Sequence, residues 1–100
     1  MIDLNGMAES ALETAKMREK KGQLKSDAVS ILKHCAGEVC EAVEAYSICY
    51  RFRGKIYEEQ FADEVADIIT CALIAAAQED IDIEAALLRV QEKNARRAEQ

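Results

Sequence analysis

The sequence predicts an all-α fold, an antiparallel four-helix bundle of three long helices plus one more, and three observations carry that reading. Proline is absent and only four glycines occur in 100 residues, so long helices run without interruption. Half of the residues are hydrophobic but only 5% are aromatic; Ala, Ile, Leu and Val supply most of the apolar content, which suits closely packed helices. The apolar residues recur at helical spacing. A chain this short removes only about two-thirds of its unfolded surface from water, so residues 1–100 are expected to form one domain whose modest core favours self-association.

The first helix is predicted from about Met7 to Lys20, with Leu4, Ala8, Ala11, Leu12 and Ala15 at helical spacing and Gly22 as its stop. Ser26 is the expected N-cap of a second helix close to 25 residues long. Its apolar face reads Val29, Leu32, Cys35, Ala36, Val39, Val43, Tyr46, Tyr50. Arg51 to Lys55 form the turn, where Gly54 takes a positive φ at no steric cost. A third helix follows from about Glu58, and Glu58, Glu59 and Asp63 suit the positive end of its dipole. From Ile68 to Ala77 it is apolar nearly all round and must be buried all round, which one small copy rarely achieves; a dimer or a dimer of dimers is expected. Asp82 caps a last helix running through Arg97, with Ile83, Ala86, Leu87 and Val90 facing inward.

Charge is unevenly distributed. Nineteen acids against 13 bases give a formal net charge of −6. Between His34 and Tyr50 lie three Glu and no base, and between Ile56 and Leu88 nine acids and no base. The bases are confined to Lys16–Lys33, Arg51–Lys55 and Arg89–Arg97. An acid-rich middle is a poor footprint for a duplex, so no nucleic-acid partner is expected. The longest apolar stretch is about half of a bilayer span, which argues against a membrane partner. Asp3 stands where a signal peptide wants a basic region, and a cytoplasmic location is expected. Cys35, Cys40, Cys49 and Cys71 make no CxxC pair and read as small buried hydrophobes rather than disulfide or zinc ligands.

Four carboxylates carry the chemistry. At 100° per residue Glu38 and Glu41 lie about 60° apart on the second helix, with His34 in the same sector, and Glu64 and Asp67 repeat that spacing on the third. One such pair alone describes a solvated helix face. Across an antiparallel hairpin about Gly54, however, Glu38 and Glu41 are 16 and 13 residues before the turn, and Asp67 and Glu64 are 13 and 10 after it. The offset is about one turn, so all four can face one another. Carboxylates roughly 5–6 Å apart repel by about 0.7–0.8 kcal/mol per pair even in bulk water, and no base lies on either stripe to offset it. Either cations fill the site or some carboxylates stay protonated. Oxygen-only ligands select hard ions, so Mg²⁺, with Mn²⁺ the substitute, fits the set, and such a cluster binds phosphates. A di-iron centre would want Glu-x-x-His pairs, and His34 precedes Glu38 in the wrong order.

The segments GEVCEAVE at 37–44 and DEVADIIT at 63–70, with 22 residues between Glu41 and Glu64, resemble the two-part ExxE…ExxD signature of the all-α nucleoside triphosphate pyrophosphohydrolases, the MazG-like superfamily. The likeness is greatest to its small single-domain, dCTP-pyrophosphatase-like members. The resemblance implies that Glu38, Glu41, Glu64 and Asp67 are metal ligands. It implies hydrolysis of a nucleoside triphosphate between the α- and β-phosphates to a monophosphate and pyrophosphate. A carboxylate not fully used by metal, for which Glu41 is the choice, would orient or deprotonate the water. Gly37 departs from members with a further Glu there and resembles the pyrimidine-directed ones. Lys93, Asn94 and Arg97 resemble the family's basic C-terminal element; they fall within about 100° on one helix face, and either bind phosphate or simply complement the helix dipole. His34 is a further substrate-binding candidate, while Tyr46 and Tyr50 read as core and Lys16, Lys20 and Lys33 as solvated. The alternatives are phosphoribosyl-ATP pyrophosphohydrolysis on the same scaffold, or a non-catalytic helical module that binds a metal or a nucleotide.

Overall fold

The computed structural model describes residues 2–100, with the side chain of Cys49, one of the cysteines expected in the core, outside the described set. Four helices pack as a bundle: α1 (Leu4–Lys20), α2 (Ala28–Phe52), α3 (Lys55–Gln78) and α4 (Ile83–Ala98). None is long and apolar enough to cross a membrane.

Local capping explains where each helix begins. Helix α1 starts three residues before the expected Met7 because Asp3 caps it, its carboxylate accepting the Gly6 N–H at 3.0 Å. It stops at Gly22 as expected: Gly22 sits at φ 72, its N–H returns to the Glu19 carbonyl at 2.9 Å, and the Gln23 N–H returns to the Arg18 carbonyl at 3.0 Å. The cap of α2 is Asp27 and not Ser26. Asp27 accepts the Ser30 N–H at 3.1 Å, whereas Ser26 is buried and gives both its N–H, at 2.6 Å, and its hydroxyl to the Glu19 carboxylate. Those two bonds hold Glu19 below the usual carboxylate range and fasten the end of α1 to the start of α2.

Helix α2 is 25 residues long as expected but continues through Phe52, so the turn contracts to Arg53 (φ 45) and Gly54 (φ 145) and α3 restarts at Lys55 rather than Glu58. The result is a tight α2–α3 hairpin. Asp82 caps α4 as expected, accepting the Ala85 N–H at 3.1 Å. The same carboxylate accepts from Asn5 at 3.0 Å, Asn5 accepts the Ile83 N–H at 3.0 Å, and Glu84 accepts the Leu4 N–H at 2.9 Å. These bonds join the first turns of α1 and α4.

The core gathers Ala15 from α1, Ile31 from α2, and Cys71, Ile74 and Ala75 from α3. Ile31 is 1% exposed, a burial of about 1.5–3 kcal/mol. The face of α2 turned to this core differs from the expected one. It consists of Ile31, Cys35, Glu38, Ala42 and Ala45, whereas Val29, Leu32, Val39, Val43, Tyr46 and Tyr50 are exposed. Helix α2 carries two apolar seams, and the hairpin turns only one of them onto α3. Tyr46 and Tyr50 therefore stack on each other at the surface, 6.4 Å apart, with Phe61 edge-on to Tyr46 at 5.3 Å. Cys40 is exposed rather than buried, for it lies opposite Ala42 on α2. Ile69 and Ala72 on α3, and Leu87 and Val90 on α4, are also exposed where the sequence predicts burial.

Candidate metal centre

The hairpin register brings together three of the four acids that the residue count places there, with Asp67 outside the trio. One carboxylate oxygen each of Glu38, Glu41 and Glu64 lies within 4.8 Å of the others. Glu38 belongs to the inward face of α2 and Glu64 to the facing side of α3, so both are half-buried, while Glu41, one turn further along, is exposed at the rim. Asp67 is exposed and stands with Glu38 on the wall of an adjoining cleft of about 480 Å³.

Their electrostatics follow from that placement. Burial, and then the charges of Glu41, Glu38 and Asp67, push the Glu64 carboxyl above the usual range. Glu38 Oε1 has one protein partner, His34 Nε2 at 3.0 Å. Glu38 Oε2 and Glu64 Oε2 are buried with no hydrogen-bond partner. Two orphaned carboxylate oxygens beside a third carboxylate are a costly arrangement for a protein to leave unfilled. A divalent cation satisfies both at once, and three hard oxygen donors are the set that Mg²⁺ or Mn²⁺ accepts. Cys71 lines the same cleft, and burial, then Cys35, Glu38 and Asp67, push its thiol up to about 11, so in the metal-free chain it is a neutral part of the wall.

A family model of the MazG nucleotide pyrophosphohydrolase domain matches residues 23–100. The chain belongs to that family. No curated protein and no solved structure matches it significantly. As a member of the MazG family it is a hydrolase acting on nucleotides, and the acid cluster lies wholly within the matched stretch. Helix α1 lies outside it.

Of the remaining residues singled out from the sequence, His34 joins the site through Glu38, and Lys93, Asn94 and Arg97 do not. These three stand exposed on α4, away from the residues that line the carboxylate cleft. Lys16, Lys20 and Lys33 are exposed as expected. Sequence reasoning missed Thr14 and Arg18 of α1 and Thr70 of α3, which line the cleft together with His34, Glu38 and Asp67. Nothing in the spacing within α1 marks Thr14 or Arg18; only the packing of α1 across the hairpin brings them there.

Proposed function

We propose that this MazG-family chain hydrolyses nucleoside triphosphates between the α- and β-phosphates, releasing a nucleoside monophosphate and pyrophosphate. Glu38, Glu41, Glu64 and Asp67 would hold Mg²⁺, for which Mn²⁺ can substitute. The observation that carries this is the pair of buried, unpartnered oxygens of Glu38 and Glu64 within reach of Glu41. When bound, Mg²⁺ neutralises phosphate oxygens and lowers the pKa of water. His34 holds Glu38 Oε1 and leaves Oε2 buried without a protein partner. Glu41 is the exposed member of the trio and the general base: it takes the proton of the attacking water as that oxygen bonds to phosphorus and the bridging P–O bond to the leaving group breaks.

The functional unit is a homodimer or a dimer of dimers. Val29, Leu32, Ala36, Val39, Val43, Tyr46 and Tyr50 alternate at spacings of three and four, the pattern of a helix-packing seam, and all are exposed in one copy. Ala62, Val65, Ile69 and Ala72 continue the exposed face on α3. Two hairpins laid together cover both faces. Such pairing is also the route by which Lys93, Asn94 and Arg97 of a second copy would reach a bound triphosphate, since in their own copy they stand apart from the acids. The setting is the cytoplasm, where Mg²⁺ and nucleoside triphosphates occur together.

The test is pyrophosphate release from a panel of common and modified nucleoside triphosphates, and from phosphoribosyl-ATP, with Mg²⁺, Mn²⁺ or EDTA. Turnover with either ion, abolished by EDTA and by Glu41→Gln, is the expected result. Metal-independent turnover, or none on any substrate, would overturn the reading.

A further inference from the structure

We infer that Arg18, oriented by Gln23, reads the base of the nucleotide and selects bases that present two adjacent hydrogen-bond acceptors. The inference rests on the proposed function for the position of the phosphates, and on the cleft for the rest.

The cleft of about 480 Å³ has the size of a small-molecule site, and its two ends differ. Glu38 and Asp67 mark one end. Toward the other, along α2, stand His34 and then Ile31, and along α3 Cys71 and then Ile74, giving a largely buried apolar floor about two helical turns long, roughly 10 Å, rimmed by the exposed Thr14, Arg18, His34 and Thr70. Glu19, next to Arg18, is bonded to Ser26, two residues before the start of α2, and Arg18 lines the cleft with Ile31 of the first turn of that helix. Glu38 is 10 residues after Ala28, about 15 Å along the axis. With the phosphates at the carboxylates, the nucleoside is the part of the substrate that extends over the floor, and its base is the part that meets Arg18.

Arg18 is a prepared donor. Its Nε donates to Gln23 Oε1 at 3.2 Å, and Gln23 is itself anchored through its N–H to the Arg18 carbonyl at 3.0 Å in the turn that ends α1. Among the described residues no carboxylate pairs with this guanidinium, and its two amino groups have no protein partner, although the chain carries 19 acids. A guanidinium only donates, so a face of it matches two adjacent acceptors and is left unpaired against an acceptor beside a donor. Guanine (O6 and N7) and cytosine (O2 and N3) present such pairs, whereas adenine sets its amino group beside N7 and uracil sets N3–H beside its carbonyls. Arg18 lies just before the stretch matched by the family model, which begins at Gln23.

The experiment compares kcat/KM for pyrophosphate release from GTP, CTP, ATP and UTP and their deoxy forms, together with Mg²⁺-supported binding of the α,β-methylene analogues. It uses the full chain and its Arg18→Met, Arg18→Lys and Gln23→Ala variants, whose thermal unfolding is checked. Guanine or cytosine nucleotides should be preferred by the unmodified chain. Arg18→Met should weaken that preferred class by roughly 5–150-fold, the worth of a bidentate pair, while adenine and uracil nucleotides change by less than about three-fold. Arg18→Lys, which keeps the charge and loses the fork, should behave like Arg18→Met, and Gln23→Ala should lose a smaller part of the preference. Equal loss across all bases and inorganic tripolyphosphate would make Arg18 a phosphate ligand, and equal retention would give it no role; either overturns the inference. Base-selective analogue binding that depends on Arg18 without pyrophosphate release from any nucleotide would sustain the inference and overturn the hydrolase reading alone.

Discussion

His34 Nε2 lies 3.0 Å from Glu38 Oε1, one turn away on α2, so that one oxygen of Glu38 is held by imidazole while the other is buried without a partner. That division lets one residue be anchored and available at once. If the anchoring matters, His34→Ala should weaken Mn²⁺ binding by about 10–100-fold, the usual cost of losing a residue that orients a metal ligand. His34→Gln, which keeps a donor, should recover part of it. Titration calorimetry with Mn²⁺ alone reads this without turnover, and unchanged affinity in both variants would show that Glu38 needs no such support.

Glu64 sets a pH dependence whose sign is opposite to that of an ordinary ion-paired acid. Its carboxyl is raised in the fold by burial and by Glu41, Glu38 and Asp67. The stability linked to it is therefore fully present below the unfolded-state pKa and is lost as pH rises through the folded-state value. For the metal-free chain, Glu64→Gln should raise the unfolding temperature at pH 7–8 and leave it nearly unchanged near pH 4. A lower unfolding temperature at pH 7–8 for the variant would contradict the placement of that carboxyl among its acidic neighbours.

Divalent metal should act as a stabilising ligand. At 100 times its dissociation constant, Mg²⁺ or Mn²⁺ would add about 2.7 kcal/mol to the free energy of unfolding if it binds only the folded chain. The effect should vanish in a Glu38→Gln, Glu64→Gln double variant, in which the two orphaned oxygens carry no charge. Calorimetric scans with and without EDTA measure both.

Gly37 lies within the continuous helix α2 where a side chain would have open space: a Cβ added there meets nothing within 4 Å. In one copy nothing requires glycine, so Gly37→Ala should stabilise by about 0.5–1 kcal/mol through helix propensity. The denaturant midpoint is the measurement. A fall in midpoint would mean that a second copy packs into that space.

Val43 is 62% exposed in the middle of the outer seam of α2. In an isolated copy Val43→Glu should change stability by no more than about 0.5 kcal/mol, as for most surface substitutions. In a seam-to-seam dimer it buries a charge against the partner hairpin and should yield monomers, seen by sedimentation velocity, with the helical circular-dichroism signal retained. A dimer undisturbed by Val43→Glu and Leu32→Glu together would place the contact elsewhere.

Much of this molecule was legible in the sequence because its information is local. Four helices without proline, the stop at Gly22, the hairpin at Gly54 and the cap at Asp82 each depend on residues within a turn of one another. The meeting of Glu38, Glu41 and Glu64 was legible as well, since a short hairpin with a fixed rise per residue converts a count along the chain into a distance. The cap at Ser26 was not. Both Ser26 and Asp27 suit the position, and the choice fell to Asp27 because the distant Glu19 takes the serine.

The two faces of α2 show where sequence stops. Hydrophobicity requires that Ile31 and Ala42, and likewise Val39 and Val43, leave water, but it is non-directional and does not say against what. The hairpin decided that Ile31 and Ala42 pack on the chain itself, carrying Glu38 inward with them, while Val39 and Val43 stay outside. In the same way the sequence by itself determined the four helices and the spacing of the acids. Only tertiary packing decided that α1 closes a cleft beside them, that Arg18 lines it, and that Lys93, Asn94 and Arg97 stay apart, because contacts between distant segments depend on which surfaces the turns bring face to face.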